Sequence, residues 1–377
     1  MTIYKLKDIC TIIAGQSPES KYYNTDGDGI PFFQGKADFG ELYPTIRVYC
    51  SQPIKIAEKD DILLSVRAPV GPTNLAPCKV CIGRGLTAIR PSELLNLRYL
   101  LFYFRYFEAQ LQQKGTGTTF NSINQNTIKN LEISVPPLPD QERIVTRIEE
   151  LFSELDSGVE TLKKTKAQLA VYRQAVLKEA FSEIELYVPF REISDSRLGK
   201  MLDKSKNTGT PRNYLRNINV RWFSFDLSDL LEMRIEDSEI EKYSIEKGDL
   251  VICEGGEPGR CAVWQNQETI FYQKALHRMR FKDKTNPKFY MYYLWFAAQT
   301  GSLTRYFTGT GIKHLTGQSL EKVPVPKADY NMQESIVQEI ESRLSVCDSI
   351  EQTIDSALQE AEALRQSILK RAFEGGI

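Results

Sequence analysis

The segment YRQAVLKEAF at residues 172–181 returns, with few changes, as LRQSILKRAF at residues 364–373. The same offset of 192 residues carries Gln141 onto Gln333. Self-similarity at a fixed offset is the signature of a duplicated structural unit. The chain is therefore predicted to contain two copies of one module, each ending in the same helical motif.

Upstream segments repeat at slightly different offsets. EKDDIL at 58–63 matches EKGDLV at 246–251, and a GTG tripeptide occurs at both 115–117 and 309–311. Small changes of offset indicate insertions in surface loops, where diverged copies vary most. The order of segments is nevertheless the same in the two copies.

Each copy begins with short apolar runs that are punctuated by Gly, Pro, Asn and Asp, which is typical of strands and turns. An aromatic-rich segment follows and is predicted to be helical, at 97–113 in the first copy and at 287–303 in the second. A GTG loop, a short strand that ends in proline and a long helix complete each copy.

The long helices are predicted from a heptad pattern sustained over about five heptads. Pro139 and Asp140 mark a start, and Gly375 and Gly376 mark a stop. The seam of the first helix is Ile144, Ile148, Leu151, Leu155, Gly158, Leu162, Thr165, Leu169, Tyr172 and Val176. The seam of the second is Ile336, Ile340, Arg343, Cys347, Ile350, Ile354, Ala357, Ala361, Leu364 and Ile368.

A single helix with such a seam is unstable in water, so each long helix needs a partner. The simplest partner is the helix of the other copy, running antiparallel to it. In the alternative arrangement, each helix packs separately on its own domain.

The fold class that follows is α+β. Two mixed α/β domains, 1–137 and 183–330, are separated by two long antiparallel coiled-coil helices, 138–182 and 331–377, in an internal repeat with pseudo-two-fold symmetry. Hydrophobic residues make up 41% of the chain and charged residues 26%, as in globular proteins.

The net charge of -1 hides a division along the chain. The two α/β domains carry a small excess of basic side chains, whereas the helical segments are acidic. An anionic partner would therefore bind to the α/β domains, although so small an excess proves nothing by itself.

The composition also bears on localisation. No apolar run approaches the roughly 20 residues that cross a bilayer, and the N-terminus MTIYKLKDIC does not resemble a signal peptide. Seven scattered cysteines fit free thiols in a reducing cytoplasm. Cys78 and Cys81 form a C-x-x-C pair, but a zinc site would need further ligands, and two buried residues on a strand are the simpler interpretation.

The sequence offers little for catalysis. It contains no phosphate-binding P-loop, no Gly-rich dinucleotide motif that follows a strand, and no [ND]-P-P-[YF] tetrapeptide of adenine methyltransferases. The only two histidines, His277 and His314, are too few for most acid–base or metal schemes. We therefore expect a protein that is not an enzyme and holds no metal or cofactor of its own.

Polar side chains in loops are the remaining candidates for function. Asn, Gln, Arg and Lys match the hydrogen-bonding edges of bases, and Thr and Lys suit phosphates. The ordinary alternative is that such residues serve turn geometry alone. The candidates for DNA contact are Gln34, Lys36, Thr116, Thr118, Thr119, Asn121 and Asn124 in the first copy, and Arg216, Asn217, Asn219, Arg221, Arg260, Lys313 and His314 in the second.

These segments resemble one known family. The stretch PPLPDQERIVTRIEELFSELDSGVETLKK with YRQAVLKEAF closely resembles the helical region of specificity subunits of type I restriction-modification enzymes. The segments 65–91 and 248–264 resemble parts of that family's target recognition domains. The segment before Gln333 departs from the pattern because it lacks the usual Pro-Leu, which leaves the start of the second helix uncertain by a turn.

The resemblance implies a mechanism. Each recognition domain would read one half of a bipartite, asymmetric DNA site, and the helices would set the spacer. Two methyltransferase subunits, which use S-adenosylmethionine, would dock on the helices, and a motor-nuclease subunit would be a further partner. Two other functions stay open: specificity for a type IIB-like or other DNA-modifying system, and a coiled-coil adaptor that binds proteins.

Overall fold

The computed structural model describes residues 2–114, 122–203, 205 and 207–376. Among these residues, no helix combines the length and the apolar character needed to span a membrane. All seven cysteines are free thiols.

The first copy alternates short strands with few helices until its long final helix. Its elements are β1 Thr2–Lys5, α1 Leu6–Ile9, β2 Cys10–Ala14, β3 Tyr23–Asn24, β4 Ile30–Phe33, β5 Tyr49–Cys50, β6 Ile56–Ala57, β7 Ile62–Ser65, β8 Thr73–Leu75, β9 Val80–Ile82, β10 Leu86–Pro91, α2 Leu97–Gln113, α3 Gln125–Lys129, β11 Glu132–Val135 and α4 Leu138–Ser182.

The second copy follows the same plan. Its elements are β12 Tyr187–Pro189, α5 Phe190–Ile193, β13 Ser194–Leu198, β14 Thr210–Leu215, β15 Leu231–Ile235, α6 Ile240–Tyr243, β16 Ser244–Ile245, β17 Leu250–Cys253, β18 Cys261–Val263, β19 Ile270–Tyr272, β20 Leu276–Phe281, α7 Pro287–Gln299, α8 Gly317–Leu320, β21 Pro324–Pro326 and α9 Tyr330–Phe373.

The sheets of the two copies correspond, except that the second sheet has five strands in the first copy and four in the second. A four-stranded antiparallel sheet has the order β2-β10-β7-β8 in the first copy and β13-β20-β17-β18 in the second. A second sheet contains one parallel pair in each copy, β4 with β9 and β14 with β19. The internal duplication that the sequence predicts is therefore present in the topology as well.

The chain divides into two compact units that do not coincide with the two copies. One unit contains residues 1–162 and 355–377, and the other contains residues 163–354. Each unit thus combines one α/β domain with the N-terminal part of one long helix and the C-terminal part of the other.

In the first unit, the end of α9 packs on α2 and on the start of α4. Ile368, Leu369 and Ala372 belong to the same buried cluster as Ile144 and Ile148. The ring of Phe373 lies 5.1 to 5.7 Å from the rings of Tyr99, Tyr103 and Tyr106 of α2.

In the second unit, the end of α4 packs on α7 in the same manner. Phe181 contacts Phe289 and Tyr293, with ring centroids 5.4 Å apart in both pairs. Arg173 pairs with Asp348 at 2.7 Å, and Arg343 with Glu179 at 2.8 Å.

Those two ion pairs show that the long helices run antiparallel. From one pair to the other, the residue number rises from 173 to 179 on α4 and falls from 348 to 343 on α9. The ion pair between Arg365 and Asp156 has the same register in the first unit. Within each unit, the two long helices are therefore partners, as the heptad pattern predicted. Most seam positions are buried or half-buried, but Gly158, Tyr172, Ile350 and Leu364 are exposed.

Two sequence predictions need correction. The second aromatic helix ends at Gln299 rather than at residue 303, because Gly301 is left-handed (φ 73°) and starts a separate 3-10 turn, Ser302–Tyr306. Cys78 is not on a strand, because it lies half-buried in the bend before β9. Of the C-x-x-C pair, only Cys81 is a buried strand residue.

Candidate DNA interface

The candidate residues follow equivalent strands in the two copies. Gln34 and Lys36 come directly after β4, and Arg216 and Asn217 come directly after β14. Both loops lead into a short 3-10 turn, Lys36–Asp38 or Asn217–Asn219. Since β4 and β14 each run parallel to a neighbour, each loop lies beside the loop that follows that neighbour.

In the first copy, this arrangement forms a small basic cavity. The cavity has a volume of about 230 Å³ and is lined by Gln34, Lys36, Arg67 and Arg84 among others. These four side chains are exposed. Three cations and one amide at one solvent-facing cavity suit a nucleic acid, because the cations attract phosphates and the amide can pair with a base edge.

Close backbone approach fixes the position of Gln34. The N–H groups of Gly83 and Gly85 donate to the carbonyls of Phe33 and Gln34. A Cβ on Gly85 would lie 2.4 Å from the Gln34 carbonyl oxygen, so only glycine fits there. The Gln34 side chain also hydrogen-bonds the hydroxyl of Ser17, which holds the amide in place at the mouth of the cavity.

The remaining candidates of the first copy lie on the segment that leads into α3. Asn124 caps α3, and its Oδ1 accepts the N–H of Thr127 at 2.8 Å. Just before it, Ser122 forms a bridge with Arg67. Thr116, Thr118, Thr119 and Asn121 lie outside the described residues.

In the second copy, the loop after β14 is held mainly by its own side chains. Asn219 is only 1% exposed, and its amide bonds the Arg216 N–H and the carbonyls of Asp226 and Asp229. In this structure the Asn219 amide is thus engaged inside the loop, and its contact with DNA stays a prediction. Arg216 pairs with Asp229 at 2.6 Å.

Arg221 remains exposed on this loop, 3.8 Å from the carboxylate of Asp226. Hydrogen bonds from the side chain and backbone of Ser228 lower the pKa of Asp226. That carboxylate thus stays charged. If Arg221 binds DNA, its ion pair with Asp226 has to be replaced by an ion pair with a phosphate.

A second loop, 254–260, packs against the loop after β14. The amide of Asn217 donates to the carbonyl of Gly255 at 2.6 Å, and Arg260 donates to the carbonyl of Asn217 at 3.0 Å. Arg260 also pairs with Glu257, which in turn accepts the indole N–H of Trp222. Asn217 and Arg260 therefore lie together between the loops, where the buried Oδ1 of Asn217 and the buried Nε of Arg260 have no hydrogen-bond partner.

A third loop, residues 308–314, completes the site in the second copy. Thr308 and His314 form a two-hydrogen-bond bridge at its base, and Leu315 donates to the carbonyl of Glu254 in the second loop. Lys313 and His314 are exposed. Directly before them, Ile312 is 75% exposed.

Sequence reasoning missed three residues of these surfaces: Arg67, Arg84 and Ile312. Both arginines stand inside the segment 65–91, whose resemblance to recognition domains was noted, so the signal was present. In the sequence, Arg67 and Arg84 resemble ordinary turn residues; only the fold places them beside Gln34. For Ile312, the signal was an apolar residue between glycine and lysine in an otherwise polar loop.

The described residues contain no cluster of three His, Cys, Asp or Glu side chains with the spacing of a metal site. Of the two histidines, His277 is fully buried on β20 and bonds the carbonyl of Leu315 at 3.0 Å. Burial lowers its pKa. It faces the interior, away from any substrate, whereas His314 is on the surface.

A family model described as the type I restriction modification DNA specificity domain matches residues 1–170 and 192–360. The two matched ranges correspond to the two copies of the internal duplication.

Several curated specificity subunits are similar in sequence. A putative type I restriction enzyme MjaX specificity subunit from Methanocaldococcus jannaschii is 38% identical over 167 residues, which are 44% of this chain and 38% of that protein. The EcoKI specificity subunit of Escherichia coli is 21% identical over 322 residues, 79% of this chain and 69% of that protein. The StySPI specificity subunit of Salmonella potsdam is 24% identical over 371 residues, 90% of this chain and 80% of that protein.

One solved structure shares the whole fold. The HsdS subunit from Thermoanaerobacter tengcongensis aligns with a TM-score of 0.64 and 18% identity, covering 100% of this chain and 97% of that one. The family model, which accounts for most of the sequence, and the duplicated topology agree. The chain belongs to the type I restriction-modification DNA specificity family and carries two copies of its domain in tandem.

Proposed function

We propose that this chain is the non-catalytic specificity subunit of a type I restriction-modification system. The recognition domain at 1–137 reads one half of a bipartite DNA site, and the recognition domain at 183–330 reads the other half. The long helices, 138–182 and 331–377, set the unspecified spacer and dock two methyltransferase subunits. S-adenosylmethionine binds to those methyltransferase partners, a motor-nuclease subunit is a further partner, and the complex acts in the cytoplasm.

One observation carries this proposal: equivalent loops hold different polar side chains in the two copies. After the matching strands β4 and β14 stand Gln34 and Lys36 in one copy but Arg216 and Asn217 in the other. The glutamines that hold the long helices to their domains, Gln141 and Gln333, are instead the same. Two recognition domains that share one fold but differ in their contact residues would recognise two different half-sites, as an asymmetric DNA site requires.

Methylation profiling tests the proposal directly. The chain is expressed with its methyltransferase in a host without other adenine methylation, and methylated positions are mapped by long-read sequencing. We expect one motif with two unlike specific parts and a fixed gap. A single undivided motif would contradict the assignment of one domain to each half.

Salt dependence separates a DNA reader from a protein-binding adaptor. Affinity of the assembled complex for site-containing DNA should fall steeply as salt rises, because each phosphate contact releases counterions. A complex that assembles normally but shows no affinity for DNA at low salt would favour the adaptor.

A further inference from the structure

Arg278 on β20 is a buried arginine that lacks a carboxylate partner among the described residues. Its side chain lies in the second recognition domain, and the residue is only 6% exposed. Its Nη1 donates to the carbonyls of Ser244 and Glu241, at 2.7 and 3.3 Å, while its buried Nε has no hydrogen-bond partner. A buried cation without a counterion is costly, so such groups are normally paired or bind an anion.

The strand pairing aggravates this cost. Arg278 lies directly opposite Arg197 in the antiparallel pair of β20 and β13. Among the described residues, no carboxylate comes within ion-pairing distance of Arg197 either. Like charges that face each other across a sheet destabilise it.

The first copy shows that the fold does not require this arginine. Arg90 and Arg280 occupy equivalent strand positions, since each pairs with the buried aspartate of its copy, Asp61 or Asp249. Two residues earlier, the first copy has Ala88, which is buried in an apolar cluster. The second copy therefore keeps a charge where its duplicate keeps a methyl group.

Arg278 lines a polar cavity of about 690 Å³. Arg197, Lys242 and Arg280 line the same cavity, together with Ser196 and Ser238. Two acidic residues, Asp195 and Glu241, also line it, but Asp195 lies 3.7 Å from Lys282 outside the cavity. Arg280 is already paired with Asp249, so Arg197, Lys242 and Arg278 supply more positive charge than Glu241 balances.

We propose that this cavity binds a phosphate group between Arg197 and Arg278, with Lys242 as an additional donor. The planar guanidinium fork matches phosphate geometry, and a dianion would neutralise the two facing arginines. The phosphate comes from the DNA backbone or from a free phosphate compound. The DNA source depends on the proposed function, whereas binding of free phosphate does not.

The test uses the full-length chain and inorganic phosphate. Thermal unfolding is compared in sodium phosphate and in sodium chloride of matched ionic strength, for the wild type, for Arg278→Met, and for Arg234→Met as a control. Arg234 is an exposed arginine of the same domain that bonds only a carbonyl, at Gly209. The control corrects for the general stabilising effect of phosphate on proteins.

We expect phosphate to raise the Tm of the wild type and of Arg234→Met by about 2–4 °C more than that of Arg278→Met. In chloride, Arg278→Met should be at least as stable as the wild type, because it removes an uncompensated charge. Arg197→Met, at an exposed position, should fold normally and lose part of the phosphate response. Equal responses of wild type and Arg278→Met, together with a lower Tm of Arg278→Met in chloride, would show that Arg278 is only a structural brace.

Two further measurements identify the ligand. An equal rise of Tm in sodium acetate would overturn the phosphate assignment. In DNA-binding titrations, Arg278→Met should reduce the slope of log affinity against log salt by about 1 if the cavity holds a backbone phosphate. An unchanged slope with a lost response to inorganic phosphate would support a free phosphate compound. If the complex binds no DNA, the proposed function is wrong. The phosphate site is then still tested by the Tm response to inorganic phosphate.

Discussion

Arg90 and Arg280 show what the two copies have kept at the level of single residues. Each donates twice to a buried aspartate, Asp61 or Asp249, at 2.6 to 2.8 Å. That aspartate also accepts a backbone N–H in the turn that precedes β7 or β17. The pair is retained in both copies because the aspartate alone would be a buried charge without a partner.

The exposed arginines of the first copy are instead expected to act on DNA. Arg84→Ala should lower the affinity of the assembled complex for its DNA site at least fivefold and reduce the salt slope by about 1. Arg47→Ala removes an exposed arginine that already lies 3.5 Å from Asp38 and serves as the control. Fluorescence anisotropy at several salt concentrations measures both quantities, and equal losses in the two variants would exclude a specific contact by Arg84.

His277 should make the stability of the second unit depend on pH. Burial lowers its pKa in the folded state below 6.5, although the charge of Glu254 opposes this shift. Its buried Nδ1 also has no hydrogen-bond partner, so a proton on this nitrogen would lack an acceptor. The unfolded chain takes up a proton near pH 6.5 while the folded chain does not, so the free energy of unfolding falls as pH drops below 6.5, by up to about 1.4 kcal/mol per pH unit.

The matched variant is His277→Thr, because the equivalent residue of the first copy is the buried Thr87. Urea unfolding between pH 5 and pH 7.5 should show a flatter pH dependence for this variant than for the wild type. His314→Thr, at an exposed position, should leave the wild-type dependence intact. A dependence that His277→Thr does not change would assign the effect to other groups.

At the scale of elements, a buried glutamine fixes each long helix to its α/β domain. Gln141 of α4 accepts the N–H of Asn96, which caps α2, and donates to the carbonyls of Leu94 and Pro136. Gln333 does the same for α9, accepting the N–H of Asn286 and donating to Ala328. The start of each long helix is therefore held at a fixed angle to the aromatic helix.

Gln141→Ala should destabilise the first unit by about 2–3 kcal/mol, because three buried or partly buried backbone groups lose their partner. Gln174→Ala, an exposed change on the same helix, should cost less than about 0.5 kcal/mol. Urea unfolding followed by circular dichroism compares the two variants. If their midpoints coincide, the glutamine does not hold the helix.

At the scale of the whole molecule, the chain links two recognition domains through helices that continue from one compact unit into the next. The helix α4 contains 45 residues, about 67 Å at 1.5 Å per residue. Its first part and the last part of α9 belong to one unit. The spacer that we propose is therefore set jointly by both helices.

Lengthening both helices by seven residues, after Leu162 and after Ile354, should lengthen the spacer and leave the two half-sites unchanged. Seven helical residues add about 10 Å, or roughly three base pairs, and a full heptad preserves the buried seam. Methylation profiling of the variant measures the new gap. Altered half-sites with an unchanged gap would contradict the role of the helices as a spacer.

The sequence by itself determined the duplication, the two long helices and their antiparallel pairing, and the family. These features follow from local chemistry: the heptad seam repeats along the chain, and Gly375 ends α9 with a left-handed residue (φ 90°). The bounds of α2 could be predicted for the same reason, because its amphipathic run and its Asn96 cap are contiguous.

The tertiary structure alone decided which polar residues face solvent together. Asn217 and Asn219 look equivalent in the sequence, yet one lies between two loops and the other is buried with every donor and acceptor engaged. Arg84 joins Gln34 only because β4 and β9 run parallel and bring their following loops together. Contacts between residues far apart in the chain depend on strand pairing, which a local pattern does not specify.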